Sequence, residues 1–142
     1  MNIDKKCLVL TQYRQGDSYN DFIGKFYHFP TNSSKNYESM FDSFPIEFVY
    51  YEPIKNGEGV FYGYGIIDAP PFKDKQDNNY SFVEIKEYRP FAKFVSYKNG
   101  QGEIIEQKYN PDSYNYNNAV RRINKDFLDS VCLDGHILLN FE

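Results

Sequence analysis

The stretch IEFVYYEPIKNGEGVFYGYGII, residues 46–67, limits the possible folds more than any other part of the chain. Ile46–Glu52 alternates so that Ile46, Phe48 and Tyr50 share one face of a strand, and Val49 and Tyr51 share the other. Both faces are largely apolar, the pattern of a strand in the middle of a sheet rather than at its edge. Pro53 ends the run because proline has no N–H to give to a ladder. Lys55-Asn56-Gly57-Glu58-Gly59 then supplies a turn, and residues 59–67 predict the antiparallel partner strand. Regular alternation in that partner puts Phe61, Gly63 and Gly65 on one face and Tyr62 and Tyr64 on the other. Glycines inside a strand mark either a bulge or a place where another group lies against bare backbone.

Residues 7–14, CLVLTQYR, read as a first strand with Leu8 and Leu10 opposite Val9. Phe22–Pro30 is rich in aromatic residues, and Pro30 biases Phe29 towards extended backbone. Asn36–Phe41 fits a short helix. Residues 80–88 alternate, with Ser81, Val83 and Ile85 opposite Tyr80, Phe82, Glu84 and Lys86; Pro90 interrupts, and a strand resumes over Phe91–Tyr97. Residues 103–106 fit one more short strand, and 107–116 read as loop. Asn117 or Asn118 is placed to cap a helix over 119–132, where Ala119, Val120, Ile123, Phe127 and Val131 recur at helical spacing. Strands without regular β-α alternation predict an α+β fold: a curved, mostly antiparallel sheet or small barrel with a C-terminal helix. At 142 residues, a single domain over 1–142 is expected.

Fourteen Tyr and thirteen Phe bring the aromatic share to 19%, which also leans the chain towards pleated, half-buried surfaces. Net charge is −4, whereas a protein that grips nucleic acid by its backbone alone is basic. Any nucleic-acid role therefore rests on a local patch and a pocket, or on a partner domain that brings positive charge. No apolar run approaches the ~18 residues of a membrane helix, and no membrane partner is expected. Cys7 and Cys132 lie far apart and match no metal spacing, so free thiols and a cytoplasmic location are expected. His28 and His136 lack metal-type spacing with other ligands, and neither a metal nor another cofactor is expected.

Three constellations can carry function. The first is aromatic: Tyr19, Phe26, Tyr27, His28, Phe29, Tyr50, Tyr51, Tyr62 and Tyr64. A flipped base is held between aromatic or apolar walls and read on its Watson–Crick edge. Each stack is worth roughly 1–3 kcal/mol without a strongly basic surface. Tyr27, Tyr50, Tyr51 and Tyr62 are the leading wall candidates, Phe29 is a further pocket residue, and Asn20, Asp21 and His28 are the edge readers; the plainer reading is that most of these rings are core. The second is Arg121, Arg122 and Lys125, which with Lys93 and Lys98 can contact phosphates, or can be a solvated helix face with Arg121 and Lys125 one turn apart. The third is Asp68 followed by Glu84-Ile85-Lys86. Two carboxylates in that order can hold Mg²⁺ while the lysine supports an activated water, although the triplet also arises in any exposed alternating strand.

Several of these segments, taken in order, resemble a known pattern: Tyr19-Asn20-Asp21, Tyr27-His28-Phe29-Pro30, Val49-Tyr50-Tyr51-Glu52-Pro53 and Tyr62-Gly63-Tyr64-Gly65-Ile66-Ile67. Glu87-Tyr88-Arg89-Pro90-Phe91 and Asn118-Ala119-Val120-Arg121-Arg122-Ile123 continue it. The chain over roughly residues 13–132 is similar to the PUA-like/EVE-like domains that precede HNH nucleases in modification-dependent restriction enzymes. The resemblance implies a PUA-like fold and an aromatic cage that accepts a modified base, often a methylated or hydroxymethylated cytosine in DNA, within a restriction or defence system. Trp is absent from this chain, so Tyr or Phe would form the cage. The HNH segment is absent too, so the expected module binds without its own catalytic centre and relies on a nuclease or NTPase as partner or fused domain. A PUA-like RNA-binding domain and a metal-dependent nuclease using Asp68, Glu84 and Lys86 are the alternatives.

Overall fold

Strands dominate the structure, a computed structural model that describes residues 7–14, 22–31, 36–53, 58–109 and 118–137. The elements are β1 (Cys7–Thr11), β2 (Phe26–Pro30), a 3₁₀ turn (Tyr37–Met40), β3 (Ile46–Glu52), β4 (Val60–Ile67), β5 (Phe72–Lys73), β6 (Tyr80–Glu84), β7 (Glu87–Ser96), α1 (Ile105–Tyr109), β8 (Val120–Ile123) and α2 (Lys125–Asp134). They form an α+β fold with a five-stranded sheet in the order β7-β4-β3-β1-β8 and a three-stranded sheet in the order β2-β6-β5. Among the described strands β1 and β3 pair in parallel, and the other pairs are antiparallel.

The central hairpin explains the layering. As its alternation predicts, β3 lies in the middle of the large sheet and splits its side chains between two cores. Ile46, Phe48 and Tyr50 pack with Leu8, Leu10, Tyr27, Phe29 and Val83, filling the space towards the small sheet. Val49 and Tyr51 pack with Val9, Phe127, Leu128 and Val131, under α2. The result is three layers: small sheet, large sheet and helix. Cys7 and Cys132 are both buried in the core beneath α2 and form no disulfide.

Four expectations need correction. Residues 119–132 are not one helix, because Val120–Ile123 pairs with β1 as β8, matching Leu10 with Val120 and Cys7 with Ile123. Three-residue spacing put Val120 and Ile123 on one helical face; in the strand they serve opposite cores. The helix starts later, where the side chain of Asn124 accepts a 2.8 Å hydrogen bond from the Phe127 N–H. Residues 103–106 do not form a strand: Ile104 bridges to Lys98, and helix α1 begins at Ile105, so the expected loop over 107–116 is helical as far as Tyr109.

The run from residue 80 is also cut elsewhere than at Pro90. β6 ends at Glu84, and the chain crosses between sheets at Ile85-Lys86: the Ile85 N–H bonds to the Lys25 carbonyl and the Lys86 N–H to that of Ile66, at 2.9 and 2.8 Å. Pro90 sits inside β7, an edge strand where a missing N–H is tolerated. Finally, Tyr62 and Tyr64 do not share a face. Tyr50 pairs with Gly63 and Tyr51 with Phe61, leaving Tyr62 as an inserted residue. That bulge turns Tyr62 to the small-sheet side while Phe61 and Tyr64 face the α2 side.

Candidate functional site

The bulge at Tyr62 coincides with a second break. Across the other edge of β4, Phe61 pairs with Val95 and Gly63 with Pro90, so residues 91–94 of β7 have no register partner. Their backbone turns instead to the end of α2, where the Ala92 and Lys93 N–H groups donate to the Gly135 carbonyl at 3.0 and 3.3 Å. Both ladders therefore open at the level of Tyr62. Bulges of this kind re-aim side chains and gather near binding sites.

A charged and aromatic group fills the opening. Arg14, just beyond the end of β1, places its guanidinium carbon 4.3 Å from the centre of the Phe94 ring and 5.1 Å from that of Tyr62. Its Nε donates to Glu52 Oε1, and its backbone N–H to Glu52 Oε2 at 3.3 Å. Phe94 is 52% exposed, so the outer ring of this stack faces solvent. Below Arg14, Tyr62 lies parallel to Tyr50, with centroids 5.3 Å apart and planes 6° apart, and Tyr88 meets Tyr50 edge-on at 5.5 Å.

Hydrogen bonds fix these rings. The Tyr62 hydroxyl donates to the Gln12 carbonyl at 2.8 Å, and the Tyr50 hydroxyl accepts from the Gly24 N–H at 3.1 Å. Burial drives the Tyr50 and Tyr62 phenols well above their ordinary pKa, and pushes Tyr88 up to about 12 against the opposing pull of Arg14. All three stay neutral donors and acceptors at physiological pH. Gly63 does not leave an empty slot; a Cβ there would meet the Tyr88 ring at 2.6 Å, so Tyr88 occupies the bare backbone. The equivalent position at Gly65 is taken by Phe48.

The wall candidates divide. Tyr27, Phe29, Tyr50 and Tyr62 belong to one core, and Tyr51 to the other, where it lies against Phe61 and under the Arg121 guanidinium. Tyr27 is fully internal, its hydroxyl directed at the Thr11 and Ala119 carbonyls at 3.2 and 3.3 Å, and Phe29 is buried between Tyr27 and Phe41. Of the walls, Tyr50 and Tyr62 are the two stacked beneath Arg14, and both are buried. His28 lies elsewhere, on the outer face of the small sheet, stacked on Tyr80 at 4.6 Å with Nε2 3.0 Å from Asp74 Oδ2. Asn20 and Asp21 fall outside the described residues.

The proposed phosphate contacts are not one patch. Arg121 is buried, with Nε and Nη2 bonded to the two Glu106 oxygens at 2.8 and 2.9 Å. Arg122 is exposed on the opposite face of β8, and Lys125 bonds to Glu47 and Asp129 at the start of α2. The predicted one-turn spacing of Arg121 and Lys125 on a helix is thus replaced by a strand and a helix start. For the nuclease alternative, Lys86 bonds to Asp68 at 3.2 Å on the surface, and no cluster of three metal-ligating side chains occurs among the described residues. Arg14, Glu52, Tyr88 and Phe94 were missed as site residues by sequence reasoning. An arginine closing an apolar strand was the only local signal, since Phe94 becomes its neighbour only through the break in register.

No helix among the described residues is long and apolar enough to cross a membrane. No family model matches the chain, and no curated protein matches it. Among solved structures, the chain is similar to the NMR structure of Rpa0253 from Rhodopseudomonas palustris, with a TM-score of 0.67 at 14% identity over 95% of this chain and 96% of that one. At that identity the likeness concerns the fold alone.

Proposed function

We propose that this protein is a PUA-like DNA-binding reader that accepts a modified cytosine, methylated or hydroxymethylated, in the aromatic opening at Tyr62. One observation carries the reading: the planar Arg14 guanidinium lies between the faces of Phe94 and Tyr62, where a flat base would stack. A base entering there trades one planar cation for another planar group, and Arg14 and Glu52 remain beside it as donor and acceptor for its edge. Stacking on exposed Phe94 supplies affinity that does not depend on a basic surface, which suits a chain of net charge −4. The apolar neighbourhood of Tyr50, Tyr62 and Tyr88 favours a base carrying an extra carbon substituent over one without it. Cleavage, in a restriction or defence role, would fall to a nuclease or NTPase partner.

The test is equilibrium binding to matched oligonucleotides bearing cytosine, 5-methylcytosine or 5-hydroxymethylcytosine, with an RNA of the same sequence as competitor. Preference for one modified strand is expected, together with about tenfold or greater weakening in Phe94→Ala, the loss of one base stack. Equal binding to all DNA strands sinks the reader, and preference for the RNA moves the site to the RNA-binding alternative.

A further inference from the structure

Phe94 faces two ways. Besides carrying Arg14, it lines a groove of about 380 Å³ between β7 and the end of α2, with Lys93, Lys98 and Asn99 on one wall and Asp134 and His136 on the other. The walls are held together by the Ala92 and Lys93 N–H bonds to Gly135 and by close packing, since a Cβ on Gly135 would stand 2.5 Å from the Phe91 ring. We infer that this groove takes the phosphodiester backbone of a nucleic-acid strand, delivering its base to the opening beside Phe94; the second half of that statement rests on the proposed reader function.

Charge complementarity supports the assignment. Most basic side chains with a described partner are engaged with carboxylates: Arg14 with Glu52, Lys86 with Asp68, Arg89 with Glu87, Lys108 with Glu103, Arg121 with Glu106, and Lys125 with Asp129. Lys93 and Lys98, like Lys25, Lys73 and Lys75, have no carboxylate partner among the described residues, and these two are exposed together on the same groove. Lys98 lies 5.2 Å from the Tyr97 ring centre, which holds its ammonium near the wall without neutralising it. In a chain of net charge −4, two uncompensated lysines on one groove are a local reversal of sign.

Among the described residues Asp134 is the one carboxylate lining the groove, and the carbonyl end of α2 adds negative field. That field is damped because the Gly135, His136 and Ile137 N–H groups cap the Val131, Leu133 and Cys132 carbonyls at 2.9, 3.0 and 2.8 Å. A phosphate occupant thus makes opposite demands on neighbouring residues. Removing either lysine charge weakens binding, and removing the Asp134 charge strengthens it.

The experiment measures binding of the full chain to two strands over a salt series, one carrying the preferred modified base and one abasic at that position. The K93Q/K98Q double variant is expected to weaken both complexes uniformly and to lower the salt slope by about 2, one for each phosphate contact. D134N is expected to tighten both, and the ratio between the two strands stays as in the parent. An unchanged salt slope in K93Q/K98Q overturns the groove assignment, as does failure of the abasic strand to bind. Equal binding of the modified and abasic strands, with the lysine effects intact, removes the reader and leaves the groove. Circular dichroism of each variant confirms that folding is unaltered.

Discussion

Arg121 and Glu106 meet in a two-pronged ion pair inside the protein, both side chains 4% exposed, with Nε to Oε2 at 2.8 Å and Nη2 to Oε1 at 2.9 Å. The pair joins α1 to β8, and Arg121 Nη1 also donates to the Asn118 carbonyl at 2.9 Å. Removing one partner leaves a charge buried alone. Glu106→Ala is expected to lower stability by about 3–5 kcal/mol in urea denaturation. A loss below about 1 kcal/mol would show that water or a neighbouring group replaces the carboxylate.

The two strand glycines are expected to differ. At Gly63 an added Cβ meets only side-chain atoms, those of the half-buried Tyr88 ring at 2.6 Å; at Gly65 it meets buried Phe48 at 2.4 Å and the Glu87 backbone carbonyl at 2.8 Å. Overpacking costs about 1–3 kcal/mol. Gly65→Ala is expected at or above the upper end of that range and Gly63→Ala at the lower end, read as shifts in denaturation midpoint. Because Tyr88 borders the opening, Gly63→Ala should also weaken ligand binding more than its stability cost implies.

Alkaline pH is expected to unfold the protein cooperatively. Burial raises Tyr51 and Tyr88 from the usual 10.0 to about 12, and moves Tyr27, Tyr50, Tyr62 and Tyr64 in the same direction. Below pH 10 these phenols are protonated in both states, so stability is fully present. As pH rises past 10, the unfolded chain releases protons that the folded chain retains; stability therefore falls continuously through about pH 12. Tyrosinate absorbance, followed beside circular dichroism, should rise in one step with loss of structure for this group. Gradual ionisation with the fold intact would contradict the burial.

Asn124→Ala is expected to cost about 1 kcal/mol, because it removes the acceptor for the Phe127 N–H at the start of α2. The corresponding loss at Asp68 should be smaller: the Lys86–Asp68 pair is exposed, and Asp68→Ala is expected to change stability by less than about 1 kcal/mol. Thermal denaturation of the two variants side by side checks both values.

The strands were legible wherever alternation was regular. Ile46–Glu52 carries its two-sided burial on its face, and the structure puts Tyr50 and Tyr51 in separate cores as that pattern requires. The end of the chain was misread because Val120, Ile123, Phe127 and Val131 satisfy helical spacing, while the ladder to Cys7–Leu10 is a long-range contact with no local trace. The opening at Tyr62 was hidden for a related reason. One inserted residue reverses every later side chain in a strand, and the adjacent glycines fit a bulge and an open slot equally well. Arg14 and Phe94 carry no shared motif; they become neighbours only because two ladders break at one level.

The placement of β1 has a consequence for how the chain folds. Leu10 is registered with Tyr50 on one side and with Val120 on the other. Although β1 is the first described strand, its two neighbours come from the middle and from the far end of the chain. During synthesis β1 waits with one side unpaired until β8 has emerged, and closing so large a loop makes a slow, topology-limited transition state. Shortening the chain before residue 118 would leave the hydrogen-bonding edge of Cys7–Leu10 open to another molecule. β8, the last described strand, thus covers that side of β1 and holds in register the same sheet whose other edge opens at Phe94.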